Sequence, residues 1–172
     1  MDVHVIDRPR LLLAGFNFYG ELWEDAARMS REAPIERLWA RLIEYVHSRD
    51  MDPPEVGYEV HLEPLYPVGS DSYEVFTGYE IGSDGEAPIE LVVKRLPASL
   101  YAKFELKREH MDAGRLAEVV GKWLKRSGYE RALNYSIRIY PGRFEDSDLA
   151  VDTEIEVLVP VRPIPGLNKL AD

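Results

Sequence analysis

Pro9-Arg-Leu-Leu-Leu-Ala-Gly-Phe16 and Pro97-Ala-Ser-Leu-Tyr-Ala-Lys-Phe104 share one proline-to-phenylalanine spacing, with Ala14 and Ala102 at the same internal place. Each stretch leads through a linker into an apolar stripe at helical spacing. The stripes are Ile35, Leu38, Trp39, Leu42, Ile43 and Val46 in the first half and Leu116, Val119, Val120, Trp123 and Leu124 in the second. Both helices are therefore expected to put one tryptophan on the buried face. Two alternating runs follow each helix, Val56–Leu62 and Tyr73–Ile81 in the first half, Asn134–Tyr140 and Thr153–Val161 in the second, bounded by Gly, Pro, Asp or Ser. The predicted unit is strand, strand, helix, strand, strand, used twice. Two copies are fewer than a solenoid needs to cover its ends, so the halves are expected to pair about a pseudo-twofold axis and leave a groove between them.

The helix ends are legible. Pro34 suits a first turn and Glu36 the positive end of helix one, which stops by Ser48 to Asp50, before Pro53-Pro54. Asp112 is the expected cap of helix two, whose end is marked by Lys122, Lys125, Arg126 and Gly128. Loops are predicted at Glu63–Ser72, Gly82–Ala87 and Gly142–Val151, and the proline-interrupted tail from Arg162 is read as extended or frayed.

With 172 residues, 45% of them hydrophobic, the chain is large enough for one core. The absence of cysteine excludes disulfides, thiolate catalysis and thiolate-bound metal. The opening Val3-His-Val-Ile6 reads as a strand, and no apolar run approaches the roughly 20 residues of a membrane span. A cytoplasmic protein is expected. A net charge of −10, from 31 acidic and 21 basic residues, argues against direct nucleic-acid binding, which needs a basic footprint. That acidity serves solubility and also favours the approach of cationic small molecules.

Several stretches together carry a family resemblance. In the second half these are Leu96-Pro-Ala-Ser-Leu-Tyr-Ala-Lys-Phe104, Trp123-Leu-Lys-Arg-Ser-Gly-Tyr129, Ile137-Arg-Ile-Tyr140 and Ile155-Glu-Val-Leu-Val-Pro160. Pro34-Ile-Glu-Arg-Leu-Trp39 and Tyr73-Glu-Val-Phe-Thr-Gly-Tyr-Glu-Ile81 add to them in the first half. Over nearly its whole length the chain resembles the GyrI-like, or AraC-type effector-binding, domain. The resemblance implies an α+β fold of duplicated βαββ units, with antiparallel sheets and one long helix per repeat. Repeat one would cover about 1–85, repeat two about 86–162, and a tail 163–172 of a single domain spanning 1–172. It further implies a groove for small, often cationic, aromatic or amphipathic molecules, in a domain that is either fused to a DNA-binding module or stands alone. The chain leaves no segment for that module, so the stand-alone kind is expected, some members of which resemble hydrolases of strained cyclopropane-bearing compounds.

One departure matters. Where the family commonly carries a glutamate two residues before a tyrosine, this chain has Arg138 before Tyr140. Alternation puts Ser136, Arg138 and Tyr140 on one strand face, with Ile137 and Ile139 on the face expected to meet the helix, which turns Arg138 toward the groove. Overlaying Gly57-Tyr-Glu-Val-His61 on Ser136-Ile-Arg-Ile-Tyr140 places Glu59 on Arg138, so these two are expected to pair across the groove; a charge swap on two exposed strand faces is the alternative. Phe18, Trp39, Tyr58, Phe76, Tyr101 and Tyr140 are the candidate aromatic lining, with core packing as the competing role.

Other chemistry finds little footing. His4, His47, His61 and His110 are scattered, the His110-Met111 pair reads as solvent-facing, and neither a phosphate loop nor a serine-hydrolase turn is present. No metal and no cofactor are expected. A hydrolase would need a carboxylate acid or base, for which Glu59 or Glu80 with Tyr140 stand nearest. Three functions remain open: a small-molecule sensor or sequestering protein, a hydrolase, and a module that binds a protein partner such as a topoisomerase or regulator.

Overall fold

The computed structural model describes residues 3–21, 33–49, 51–62, 72–107, 113–145 and 154–166. In chain order the elements are β1 (Val3–Arg8), β2 (Leu11–Glu21), α1 (Ala33–Ser48), β3 (Val56–Leu62), β4 (Ser72–Glu80), β5 (Val92–Leu96) and β6 (Ser99–Lys107). They continue with α2 (Ala113–Ser127), β7 (Tyr129–Arg131), β8 (Tyr135–Pro141) and β9 (Glu154–Pro163). The strands form one antiparallel sheet in the order β1-β6-β9-β8-β3-β4-β2-β5, with β7 paired to β9. The expected separate sheets are thus a single one, because β3 and β8 form a continuous ladder from Val56↔Pro141 to Leu62↔Tyr135. The order reads the same from either end once β1 is matched with β5, β2 with β6, β3 with β8 and β4 with β9.

Chain connectivity fixes the shape of this sheet. β1 lies at one flank and β2 near the other, yet only Pro9 and Arg10 join them, and only Pro97 and Ala98 join β5 to β6. Three peptide steps span no more than about 11 Å, so the sheet curls until its flanks meet. The curl brings backbones close at Gly15 and Gly78, which face each other across β2 and β4; a Cβ on Gly15 would stand 1.9 Å from the Thr77 carbonyl oxygen.

The two faces of the curled sheet bury different sets of residues. The inner face closes on itself and gathers Ile6, Leu13, Val60, Phe76, Leu96, Tyr101, Ile137 and Leu158, one from each of β1 to β6, β8 and β9. The outer face carries the helices. Leu38, Trp39, Leu42 and Val46 of α1 and Leu116 and Val120 of α2 share its core with Ala14, Phe16, Ala102 and Phe104, the matching residues of the two opening stretches. Each Leu, Val or Phe side chain among them withdrawn from water contributes about 1.5–3 kcal/mol. α1 lies over β2 and β4, and α2 lies beside β7 with Trp123 edge-on to Phe104 of β6.

Two expectations need correction. Ile137 and Ile139 do not meet a helix: they belong to the closed inner core, and Tyr140 faces the helices instead. The alternation was sound, but closure of the curl makes the inner face the more apolar one. Arg162 and Pro163, expected in the tail, continue β9, where Pro163 pairs with Tyr129 and Arg162 with Glu130. Gly128 has the left-handed conformation expected after α2, at φ 73. Asp112, the His110-Met111 pair and most of the Glu63–Ser72 and Gly142–Val151 loops lie outside the described residues.

Candidate functional site

β3 and β8 are the central strands, and their register sets Glu59 opposite Arg138, Gly57 opposite Tyr140 and His61 opposite Ser136, all on the helix side. Glu59 is only 2% exposed, and an unpartnered carboxylate at such a depth would be costly. It has three donors. The Trp39 indole Nε1–H donates to its Oε2 at 2.7 Å, the Arg138 guanidinium donates to its Oε1 at 3.0 Å, and His61 Nε2 shares that Oε1. The expected pairing of Glu59 with Arg138 is therefore present, as a buried cross-strand contact rather than a swap on exposed faces.

Electrostatics follow from this geometry. Burial alone would raise the Glu59 pKa, but the facing charges of His61 and Arg138 and the hydrogen bonds from His61 and Trp39 outweigh it and hold the group at about 2. Burial pushes the Tyr140 hydroxyl above its ordinary value, helped by the Glu59 charge and opposed by Arg138. At neutral pH Glu59 is an anion and Tyr140 a phenol.

Gly57 explains how Trp39 reaches its acceptor from α1. A Cβ at Gly57 would stand 2.7 Å from Trp39 Cη2, so a bare backbone is what lets the indole lie across β3. Tyr140 and Phe144 meet the indole edge-on, with centroids 5.6 and 6.1 Å away. The Arg143 guanidinium lies 5.2 Å from its ring and is paired with Glu36 of α1 at 2.7 Å. Phe18 packs at the margin of the same core.

The remaining candidates lie elsewhere. Tyr58, Phe76 and Tyr101 point into the inner core. There Tyr101 and Tyr135 share a hydroxyl hydrogen bond of 2.7 Å, and Tyr58 donates to Glu80 at 3.2 Å. Phe76 shares a strand face with acidic residues, yet it is fully covered because the sheet folds over it. Glu80, bonded to Tyr58 on that other side, is not combined with Tyr140. Of the eight residues expected to line a groove, Phe18, Trp39, Glu59, Arg138 and Tyr140 lie on the helix side of the sheet, where Trp39, Glu59 and Tyr140 are buried.

Two residues of this cluster were missed. His61 follows Glu59 by one strand period and so shares its face, a signal that its isolation from other histidines hid. Thr77 stands opposite Glu59 on β4, and its buried hydroxyl has no hydrogen-bond partner among the described residues. Among the described residues no three His, Asp or Glu side chains gather as a metal site would require, and no helix is long and apolar enough to cross a membrane. Two clefts flank α2, one of about 470 Å³ lined by Glu105, Leu106, Arg115, Leu116 and Val119 among others, and one of about 440 Å³ beside Trp123. Neither includes Glu59 or Arg138.

Fold comparison agrees with this architecture. SAV2435, solved with tetraphenylphosphonium, superposes with a TM-score of 0.63 at 14% identity, covering 94% of each chain. A Staphylococcus aureus MU50 protein described as a putative transcription regulator gives 0.62 at 13% identity, over 94% of this chain and 99% of that one. The EcmrR C-terminal domain gives 0.58 at 14% identity, over 94% and 98%. No curated protein sequence matches the chain. The family model of the GyrI-like small molecule binding domain matches residues 1–162, and the chain belongs to that family.

Proposed function

We propose that this protein senses or sequesters aromatic or amphipathic small molecules, held over β3 and β8 in a trough between α1 and α2. The observation that carries the reading is the Trp39–Glu59–Arg138 network with Tyr140 beside it: a few oriented polar groups among rings, at the centre of the sheet. Such a site fixes the orientation of a flat ligand through its polar end and takes its affinity from ring contact. The ligand in the SAV2435 structure, a cation shielded by aromatic rings, is of the aromatic class expected here.

We further infer that the trough lies between two copies of one βαββ unit, at about 1–85 and 86–162. The overlay of the halves equates Gly57 with Ser136, Glu59 with Arg138 and His61 with Tyr140. A twofold axis through the Glu59–Arg138 pair generates this register, in which Gly57 faces Tyr140 and Ser136 faces His61.

Binding stands ahead of hydrolysis. A carboxyl group held at about 2 is a weak base and has no proton to give at neutral pH, so Glu59 is poorly matched to general acid–base work. Binding also stands ahead of a protein-docking function, whose sign would be an exposed apolar patch. Among the described residues, Ile89 just before β5 and Val92 at its start are exposed, and two such side chains do not make one.

Thermal unfolding across a set of uncharged, cationic and anionic polycyclic aromatics tests this function. At least one class is expected to raise the melting temperature with concentration, as mass action requires, and Tyr140→Ala is expected to weaken the shift. If no compound shifts wild type, or the shift persists unchanged in Tyr140→Ala, the proposed site is wrong.

A further inference from the structure

We infer that the trough prefers aromatic anions, carboxylates and sulfonates in particular, over lipophilic cations. This rests on the binding function proposed above and deepens it. Three observations carry it. First, the acidic group is already occupied: Glu59 accepts from Trp39, His61 and Arg138, with donors on both of its oxygens. Second, the acid is deep and the base is shallower. The Glu59 side chain is 2% exposed and that of His61 4%, whereas that of Arg138 is 11% exposed. An incoming molecule therefore meets the Arg138 side chain before the carboxylate. Third, Arg138 stands where the overlay of the two halves puts the counterpart of the acidic Glu59, so the second half meets that acid with a base.

A cation would have to displace Arg138 from Glu59 and so break a largely buried ion pair. An anion need not break that pair. A guanidinium can engage a planar carboxylate while holding another acceptor, since it has five N–H donors in a fixed fork. The net charge of −10 opposes an anion at long range, but that field is screened beyond about 8 Å at physiological ionic strength, whereas contact with Arg138 is not.

The test uses two pairs of probes matched in shape and opposed in charge, titrated calorimetrically into the full chain. These are tetraphenylborate against tetraphenylphosphonium, and 2-naphthoate against 2-naphthylmethylammonium. 2-Naphthoate is expected to bind about tenfold or more tightly than its ammonium counterpart, the scale of one charge-assisted hydrogen bond, and tetraphenylborate more tightly than tetraphenylphosphonium through charge alone, since it offers no acceptor atom. In Arg138→Met the ratio is expected to fall to about one. In Arg138→Lys, the variant to use should the methionine fail to fold, tetraphenylborate keeps its advantage and naphthoate loses part of its own, because the charge remains and the fork does not. Tighter or equal binding of the cations to wild type overturns the charge preference and leaves the binding function standing. An anion preference that survives intact in Arg138→Met also overturns it, and no binding of any probe overturns both.

Discussion

Each helix presents one tryptophan to the same side of the sheet, and the two meet different surroundings. Trp39 is 1% exposed, donates to a buried carboxylate and is boxed by Tyr140 and Phe144. Trp123 is half-buried, stacks on Tyr129 with planes 20° apart and touches Phe104 edge-on. The difference begins on the central strands. Gly57 clears the space through which Trp39 crosses β3, whereas its counterpart in the overlay, Ser136, carries a side chain. Halves that share a plan of strands and helices need not share chemistry: the first half supplies the acid and the indole, the second the guanidinium and the phenol.

The largest effect expected from breaking this asymmetry is at Glu59. Glu59→Leu strips Arg138 and His61 of their common acceptor and is expected to cost about 3–5 kcal/mol in urea unfolding, the scale for losing one partner of a buried pair. The same group gives a signature in acid. Its folded pKa of about 2 lies below its unfolded value of 4.5. Its contribution, about 3 kcal/mol, is therefore fully present above pH 4.5 and is lost as pH falls toward 2. The difference in stability between wild type and Glu59→Gln should shrink across that window; a difference independent of pH would show that Glu59 is not held as described.

Next come the tryptophans. Trp39→Phe removes a hydrogen bond to a charged acceptor and is expected to cost about 2 kcal/mol, while Trp123→Phe keeps a ring against Tyr129 and should cost about 1 kcal/mol or less. Equal losses would mean that the indole donation to Glu59 adds nothing.

The smallest effects are expected at two glycines, with opposite signs. Gly57→Ala pushes a methyl group into the Trp39 ring and should destabilise by about 1–2 kcal/mol. Gly121, inside α2, has nothing within 4 Å of an added Cβ, so Gly121→Ala should stabilise by up to about 1 kcal/mol through helix propensity. Loss of stability in both would contradict the room assigned to each.

What was legible in the sequence was what local period encodes. The apolar stripes of α1 and α2 and the span of β3 follow from spacing alone, and the pairing of Glu59 with Arg138 followed from overlaying the halves, because equivalent central strands meet at their join. The closure of the sheet was not legible. It depends on where strands separated by two residues find their partners, and Pro9-Arg10 looks like any tight link until β1 is seen on the opposite flank from β2. That one long-range property puts Tyr58, Phe76 and Tyr101, whose alternation set them on a real face, in the inner core rather than beside Arg138. Thr77 was hidden similarly, because its approach to Glu59 depends on the register of β4.

The most direct test of the account is a nitrogen–proton correlation spectrum that follows the Trp39 and Trp123 indole resonances, assigned through Trp39→Phe and Trp123→Phe, during titration with tetraphenylborate. A ligand held over Arg138 and Tyr140 should move the Trp39 resonance in a saturable way and leave that of Trp123 nearly still. Movement of Trp123 with Trp39 unchanged would put the ligand in the cleft beside α2 and contradict a site built on the Glu59–Arg138 pair.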